Sequence, residues 1–281
     1  MTFGLNTFLF ISPFTNESFH LIKKIKDWGF DSVEIAVEDA THVDPKKLKQ
    51  ALDDNGIICG SMCGAFGPDR DLRGSASDQQ NSIDYMKSLM DIMAEINCPV
   101  LVGPLYSAVG RAEPKTDSEF RNQWDLVVKN LARVTEHAKK TGVKLAVEPL
   151  NRYETDFINT CAQALKLINE VGGDELGLLL DTYHMNIEEK SSADAIRAAG
   201  KKLYHFHACG CDRGTPGRDH IDWKSIVAAL KEINYNESAV IESFTTDVKV
   251  IAKAASIWRQ FEPSQDDIPV EGLKFLKKAF Q

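Results

Sequence analysis

The 281 residues read as one domain, 1–281, folded as a single (β/α)8 TIM barrel with an extra C-terminal helix. Eight short apolar or β-branched runs alternate with amphipathic stretches, as parallel strand and helix units do. Gly29, Gly56, Gly142 and Gly172 stand just past those stretches, where a left-handed residue ends a helix most easily. The longest connections, 64–77, 104–116 and 208–222, follow strands three, four and seven. Long loops on that side are where such barrels place their chemistry.

The strands are expected over 3–7, 32–37, 57–63, 100–103, 143–148, 177–181, 203–207 and 239–243. Between the first two, 17–28 places Phe19, Ile22, Ile25 and Trp28 on one helical stripe, and 124–141 does the same with Leu126, Leu131, Val134 and Ala138. The tail 260–281 carries Leu273, Phe275 and Leu276 in a further helix, placed to cap the barrel or join a subunit contact. An open doubly wound sheet has the same periodicity, but no G-x-G-x-x-G follows a strand, which weakens its dinucleotide-binding version.

The composition, 43% hydrophobic and 26% charged, suits one large core. A net charge of -8 without clustered Lys or Arg argues against a nucleic-acid partner and is more compatible with a small neutral substrate. No run approaches the roughly 18 apolar residues of a membrane span. The N-terminal MTFGLNTFLFISPF lacks a basic leader, so a soluble, cytoplasmic protein is expected. Six scattered cysteines in a chain this large are expected to be reduced.

Side chains alternate along a strand, so Ala146 and Glu148 face the barrel axis while Leu145 and Val147 face the helices. The same count turns Leu179 and Asp181, His205 and His207, and Val240 and Glu242 inward. Four consecutive strands thus end in a carboxylate or an imidazole. A single such residue is more often a satisfied buried group, but three converging carboxylates repel unless a cation joins them. A divalent metal held by Glu148, Asp181, His207 and Glu242 resolves this, and three oxygen donors with one nitrogen suit Mn²⁺, Co²⁺ or Mg²⁺ better than a closed zinc site. The run His205, His207, Cys209, Cys211 lacks the paired spacing that wraps zinc. His205 is read as a core histidine with Glu34 as its inward partner.

The segments Glu148-Pro-Leu-Asn-Arg-Tyr-Glu154, Asp181-Thr-Tyr-His184-Met-Asn-Ile and His205-Phe-His207 followed by Arg213 resemble the D-tagatose 3-epimerase family, which includes D-psicose (D-allulose) and L-ribulose 3-epimerases. The resemblance covers the whole chain. It implies a xylose-isomerase-like barrel whose Mn²⁺ or Co²⁺ sits on the same four residues, with Glu154, His184 and Arg213 contacting the first hydroxyls and carbonyl of a ketose. It also implies a homodimer or homotetramer. The pocket-wall segments Asn6-Thr-Phe8-Leu-Phe10 and Tyr106-Ser-Ala-Val-Gly110 depart from the better-known hexose epimerases. Asn6, Phe8 and Tyr106, with Phe10 and Phe66, are expected along the substrate.

Inverting C3 of a ketose removes a proton next to the C2 carbonyl and returns one on the other face, which needs two acid–base groups. Glu148 and Glu242 are the expected pair. Substrates would be D-fructose and D-psicose, D-tagatose and D-sorbose, or L-ribulose and L-xylulose. The alternatives are a hydroxypyruvate isomerase or a cyclitol isomerase or dehydratase on the same barrel, and a non-catalytic sugar-binding module, against which the paired glutamates argue.

Overall fold

The computed structural model describes residues 1–281. Its eight strands are β1 (Thr2–Asn6), β2 (Ser32–Val37), β3 (Ile58–Gly64), β4 (Val100–Gly103), β5 (Lys144–Val147), β6 (Leu176–Asp181), β7 (Leu203–His207) and β8 (Ser238–Ile241). All pair in parallel with their sequence neighbours, and β1 closes on β8. Glu148 and Glu242 fall just beyond the ends of β5 and β8 rather than inside them. The Glu148 N–H still reaches Gly103 O over 3.0 Å, which fixes its backbone at the rim of the barrel.

The helices are α1 (His20–Asp27), α2 (Pro45–Asn55), α3 (Ala76–Ile96), α4 (Asp117–Thr141), α5 (Cys161–Val171), α6 (Thr182–Glu188), α7 (Ser192–Ala199), α8 (Trp223–Glu232), α9 (Lys249–Ala254) and α10 (Asp267–Ala279). Capping explains their bounds. Thr116 and Glu119 exchange side-chain and backbone hydrogen bonds, so α4 starts seven residues before the apolar stripe that marks it in the sequence. Gly56 and Gly142 end α2 and α4 at φ 57° and 72°. Residues 16–19 form a 3-10 turn before α1, closed by a reciprocal Thr15 and Ser18 cap.

The last unit holds two helices. The short α9 is the extra one, while α10 packs on β1, β8 and α8 and completes the ring. Leu273 and Leu276 are buried there, and the Phe275 ring meets Trp223 edge-on at 5.2 Å.

Most apolar burial lies between strands and helices, in a cluster of 64 residues that includes Leu5, Ile35, Leu145, Leu180, Phe206 and Ile241. The second cluster, of 10 residues, lines and covers the barrel interior with Ala36, Val100, Val102, Ala146 and Leu179. So small an apolar filling leaves the upper layers to polar groups. Two register shifts aim them. On β3 the pairing passes from Val33 with Cys59 to Glu34 with Ser61, and on β7 from Leu178 with Leu203 to Leu179 with His205. Such bulges redirect side chains. The second sets Tyr204 against Gly177, where a Cβ would lie 2.4 Å from its ring, and Tyr204 packs on the interior cluster. No helix is long and apolar enough to cross a membrane.

Candidate active site

The inward alternation brings Glu148, Asp181, His207 and Glu242 together at the carboxyl ends of β5 to β8. One ligand atom from each lies within 4.8 Å of the others, and all four residues are buried. His207 Nδ1 stands 3.4 Å from Glu242 Oε2, 3.9 Å from Glu148 Oε1 and 4.0 Å from Asp181 Oδ2. His207 Nδ1 and Glu148 Oε1 are buried without any hydrogen-bond partner. Orphaned buried polar atoms are costly, and two of them beside the same carboxylates fit a cation-binding centre. The donor set, three carboxylates and one imidazole, is one that hard and borderline divalent ions accept.

Arg213, from the loop after β7, donates from Nη1 to Asp181 Oδ2 at 2.7 Å and to Glu242 Oε2 at 3.0 Å. Its backbone holds φ at 68°, a left-handed conformation uncommon for a side chain of this size. The guanidinium is sandwiched, with Tyr183 at 4.2 Å on one contact and Phe244 at 4.8 Å on another. Asn151 N–H donates to His184 Nδ1 at 3.0 Å. Burial first, then the Arg213 charge, push the His184 pKa well below its ordinary value, so the ring is neutral. Its proton therefore sits on Nε2, which lies 2.9 Å from Arg213 Nη2 and 3.6 Å from Glu148 Oε1.

The carboxyl groups differ. Burial, then the neighbouring Glu242 charge, raise Glu148 well above the usual carboxylate range. Burial acts on Glu242 too, but the His207 and Arg213 charges outweigh it and hold it below that range. Asp181 is raised to about 6, chiefly by burial. In the protein's own field, one glutamate tends to keep a proton and the other to give it up, the split that acid–base pairs use. A bound divalent cation would favour ionisation of all three.

A pocket of about 300 Å³ opens above the cluster. Glu148, Glu154, His184, Arg213 and Glu242 line it, together with Phe8 and Phe66. Asn6 lies beneath, donating to Glu242 Oε1 at 3.1 Å. Tyr106 is a correction to the expected wall. It is fully buried, its hydroxyl 3.0 Å from the carbonyl oxygens of both Glu148 and Ile158, so it props the β5 rim from behind. Phe10 is also elsewhere, packed on Trp28 at 5.6 Å, because the turn after Asn6 points alternate side chains away from the barrel mouth.

A family model described as the xylose isomerase-like TIM barrel matches residues 22–279. A probable ketose 3-epimerase from Synechocystis sp. is 35% identical, over 99% of this chain and 96% of its own. The chain belongs to the ketose 3-epimerases. A D-allulose 3-epimerase from Methylomonas sp., solved in complex with D-allulose, superimposes with a TM-score of 0.93 at 26% identity, covering 99% of this chain and 97% of its own. A D-psicose 3-epimerase from Clostridium cellulolyticum H10, solved with D-tagatose, gives 0.91 at 28% identity over 100% of both chains. This family makes the protein an isomerase-class epimerase.

Some residues of this epimerase pocket escape sequence reasoning. Val250, Ile251 and Ala254 of α9, with Ala255 just past it, form one wall, and Pro104 and Leu150 contribute elsewhere. The only signal for the α9 residues is a short apolar run after β8, indistinguishable from ordinary packing. Outside the pocket, Arg73 ties three loops by donating to Asp156 and to Ser107 Oγ at 2.7 Å.

Proposed function

We propose that the protein is a divalent-metal-dependent 3-epimerase of free ketoses, with Mn²⁺ the first choice of metal and Co²⁺ or Mg²⁺ as substitutes. The observation that carries this is the convergence of Glu148, Asp181, His207 and Glu242 with two unpartnered donor atoms among them. A divalent cation held there supplies Lewis-acid stabilisation of the charge that develops when a proton leaves the carbon beside a carbonyl.

Glu148 and Glu242 rise from β5 and β8, three strands apart around the barrel, and can flank one carbon from two sides. One removes the C3 proton, the other returns a proton to the opposite face, and the roles exchange with direction. His184 Nε2–H and an Arg213 N–H face each other over 2.9 Å, a contact of two donors. A substrate oxygen accepting from both would relieve it, and this orients the ketose carbonyl end. Glu154, fixed by Asn151 Nδ2 at 2.7 Å, is placed to accept from a hydroxyl.

Substrate class follows from the lining. Arg213 is the one guanidinium or ammonium group on the pocket wall and already faces two carboxylates, so no cation is left for a phosphate. The far end meets Phe8, Phe66, Val109 and Val250, which suits a neutral chain. D-fructose, D-tagatose and L-ribulose are the substrates to try, and a homodimer or homotetramer is the proposed assembly. The test is chromatography of each ketose after incubation with EDTA-stripped and Mn²⁺-reloaded protein. A C3 epimer formed only with metal is expected; no epimer from any ketose would redirect the search to an isomerase or dehydratase of another carbonyl compound.

A further inference from the structure

We propose that Glu34 is a positioning residue that sets both His207 and Glu242 through a buried relay beneath the substrate pocket. The inference rests on the functional reading above and assigns a role to a carboxylate that neither lines the pocket nor belongs to the four converging residues.

Glu34 is fully buried on β2, and both of its oxygens accept hydrogen bonds. Oε1 lies 2.9 Å from His207 Nε2 and accepts from Asn6 Nδ2 at 2.7 Å. Oε2 accepts from Ser61 Oγ at 2.5 Å and lies 2.8 Å from His205 Nε2. A buried carboxylate without a partner would be strongly destabilising, and this one has three hydrogen-bond partners with His205 close beside them. A purely structural cluster would end there. Two features extend it to the site. His207 uses Nε2 on Glu34, so the lone pair of Nδ1 is the one turned to Glu148, Asp181 and Glu242. Asn6 Nδ2 bridges from Glu34 to Glu242 Oε1 at 3.1 Å, leaving Oε2 of that glutamate to face His207 Nδ1 and Arg213.

One side chain therefore fixes the ring orientation of a candidate ligand on β7 and the rotamer of a candidate base after β8. The β3 bulge serves the same purpose, since it brings Ser61 rather than Gly60 opposite Glu34. Asn6 is held in turn, its Oδ1 accepting from Phe8 N at 2.8 Å, which ties the relay to a pocket-lining residue.

Glu34→Gln tests this without changing volume. A glutamine offers one acceptor oxygen and one donor nitrogen and carries no charge, so it cannot accept at both the His207 and the Ser61 positions and no longer polarises the His207 ring. Mn²⁺ titration, followed through the electron paramagnetic resonance signal of the free ion, should show affinity 10 to 100-fold below wild type, the range for residues that orient a ligand from behind. At saturating Mn²⁺, kcat should remain about tenfold down while KM moves little, because Glu34 does not reach the substrate. A Glu34→Gln protein within threefold of wild type in Mn²⁺ affinity overturns the proposal and leaves the metal-epimerase reading standing. A wild-type protein that takes up no Mn²⁺ overturns both. Should Glu34→Gln not fold, Mg²⁺-loaded wild type labelled with ¹⁵N-histidine serves instead. The His207 Nε2 proton should be downfield and protected from exchange, and a rapidly exchanging proton there would refute the relay.

Discussion

Arg213 Nη1 donates to Asp181 Oδ2 at 2.7 Å inside the carboxylate cluster, so the one guanidinium of the pocket acts as its internal counter-charge. The same group faces His184 across 2.9 Å and stacks over Tyr183 and Phe244. Arg213→Ala removes a charged donor aimed at the substrate. Hydrogen bonds to charged groups contribute about 1.5–3 kcal/mol, so kcat/KM should fall roughly 10 to 100-fold, most of it in KM. Steady-state kinetics would detect this, and an unchanged KM would remove Arg213 from the substrate site.

Glu148→Gln and Glu242→Gln keep shape and remove the base. Each should lower turnover at least about a hundredfold, with ketose still binding weakly. Solvent-tritium exchange into C3 separates the two, because a variant lacking only one base can still exchange from the face that the other serves. Retention of more than a hundredth of the wild-type rate in either variant argues against a two-base mechanism.

Much of this was readable in the sequence for a geometric reason. Alternation is strict along a strand, so placing Glu148 inward also placed Ala146, and the count reached Asp181, His207 and Glu242 on their own strands. The pairing of His205 with Glu34 followed from the same parity. Loops obey no such period. Tyr106 and Phe10 were misplaced because a turn after a strand can send an aromatic side chain to either side of the barrel rim, and nothing in the local sequence decides which. The α9 wall escapes a sequence reading because Val250, Ile251 and Ala252 form a short apolar run in a segment too short for helical periodicity to emerge.

Tyr106→Phe distinguishes a prop from a substrate contact. The lost hydroxyl leaves the Glu148 and Ile158 carbonyls one donor short, which should cost about 1 kcal/mol. In a chain of this size that is a Tm drop of about 2 °C, measurable by calorimetry. KM should stay within a factor of two. A tenfold rise in KM would return Tyr106 to the pocket wall.

Metal uptake should depend on pH with a definite sign. Burial raises Asp181 to about 6 and Glu148 well above the carboxylate range, while Glu34 and Glu242 raise His207 against the opposing effect of its burial. Each must lose a proton from the atom that faces the cation, so protons and metal compete. Mn²⁺ affinity should weaken as pH falls through about 6, by roughly tenfold per pH unit for each proton displaced. The stability of the metal-free protein has the opposite sign for two of these groups. Folded Asp181 and Glu148 hold protons that the unfolded chain has already released, so their contribution is present below the ordinary carboxylate values and is lost as pH rises through the folded ones. The increase in Tm on adding Mn²⁺ should therefore be small at pH 5 and grow towards pH 7, because the cation then replaces the protons that shielded the carboxylates. Calorimetry with and without Mn²⁺ across that range checks it, and a metal-induced shift independent of pH would mean that these three side chains do not bind the ion together.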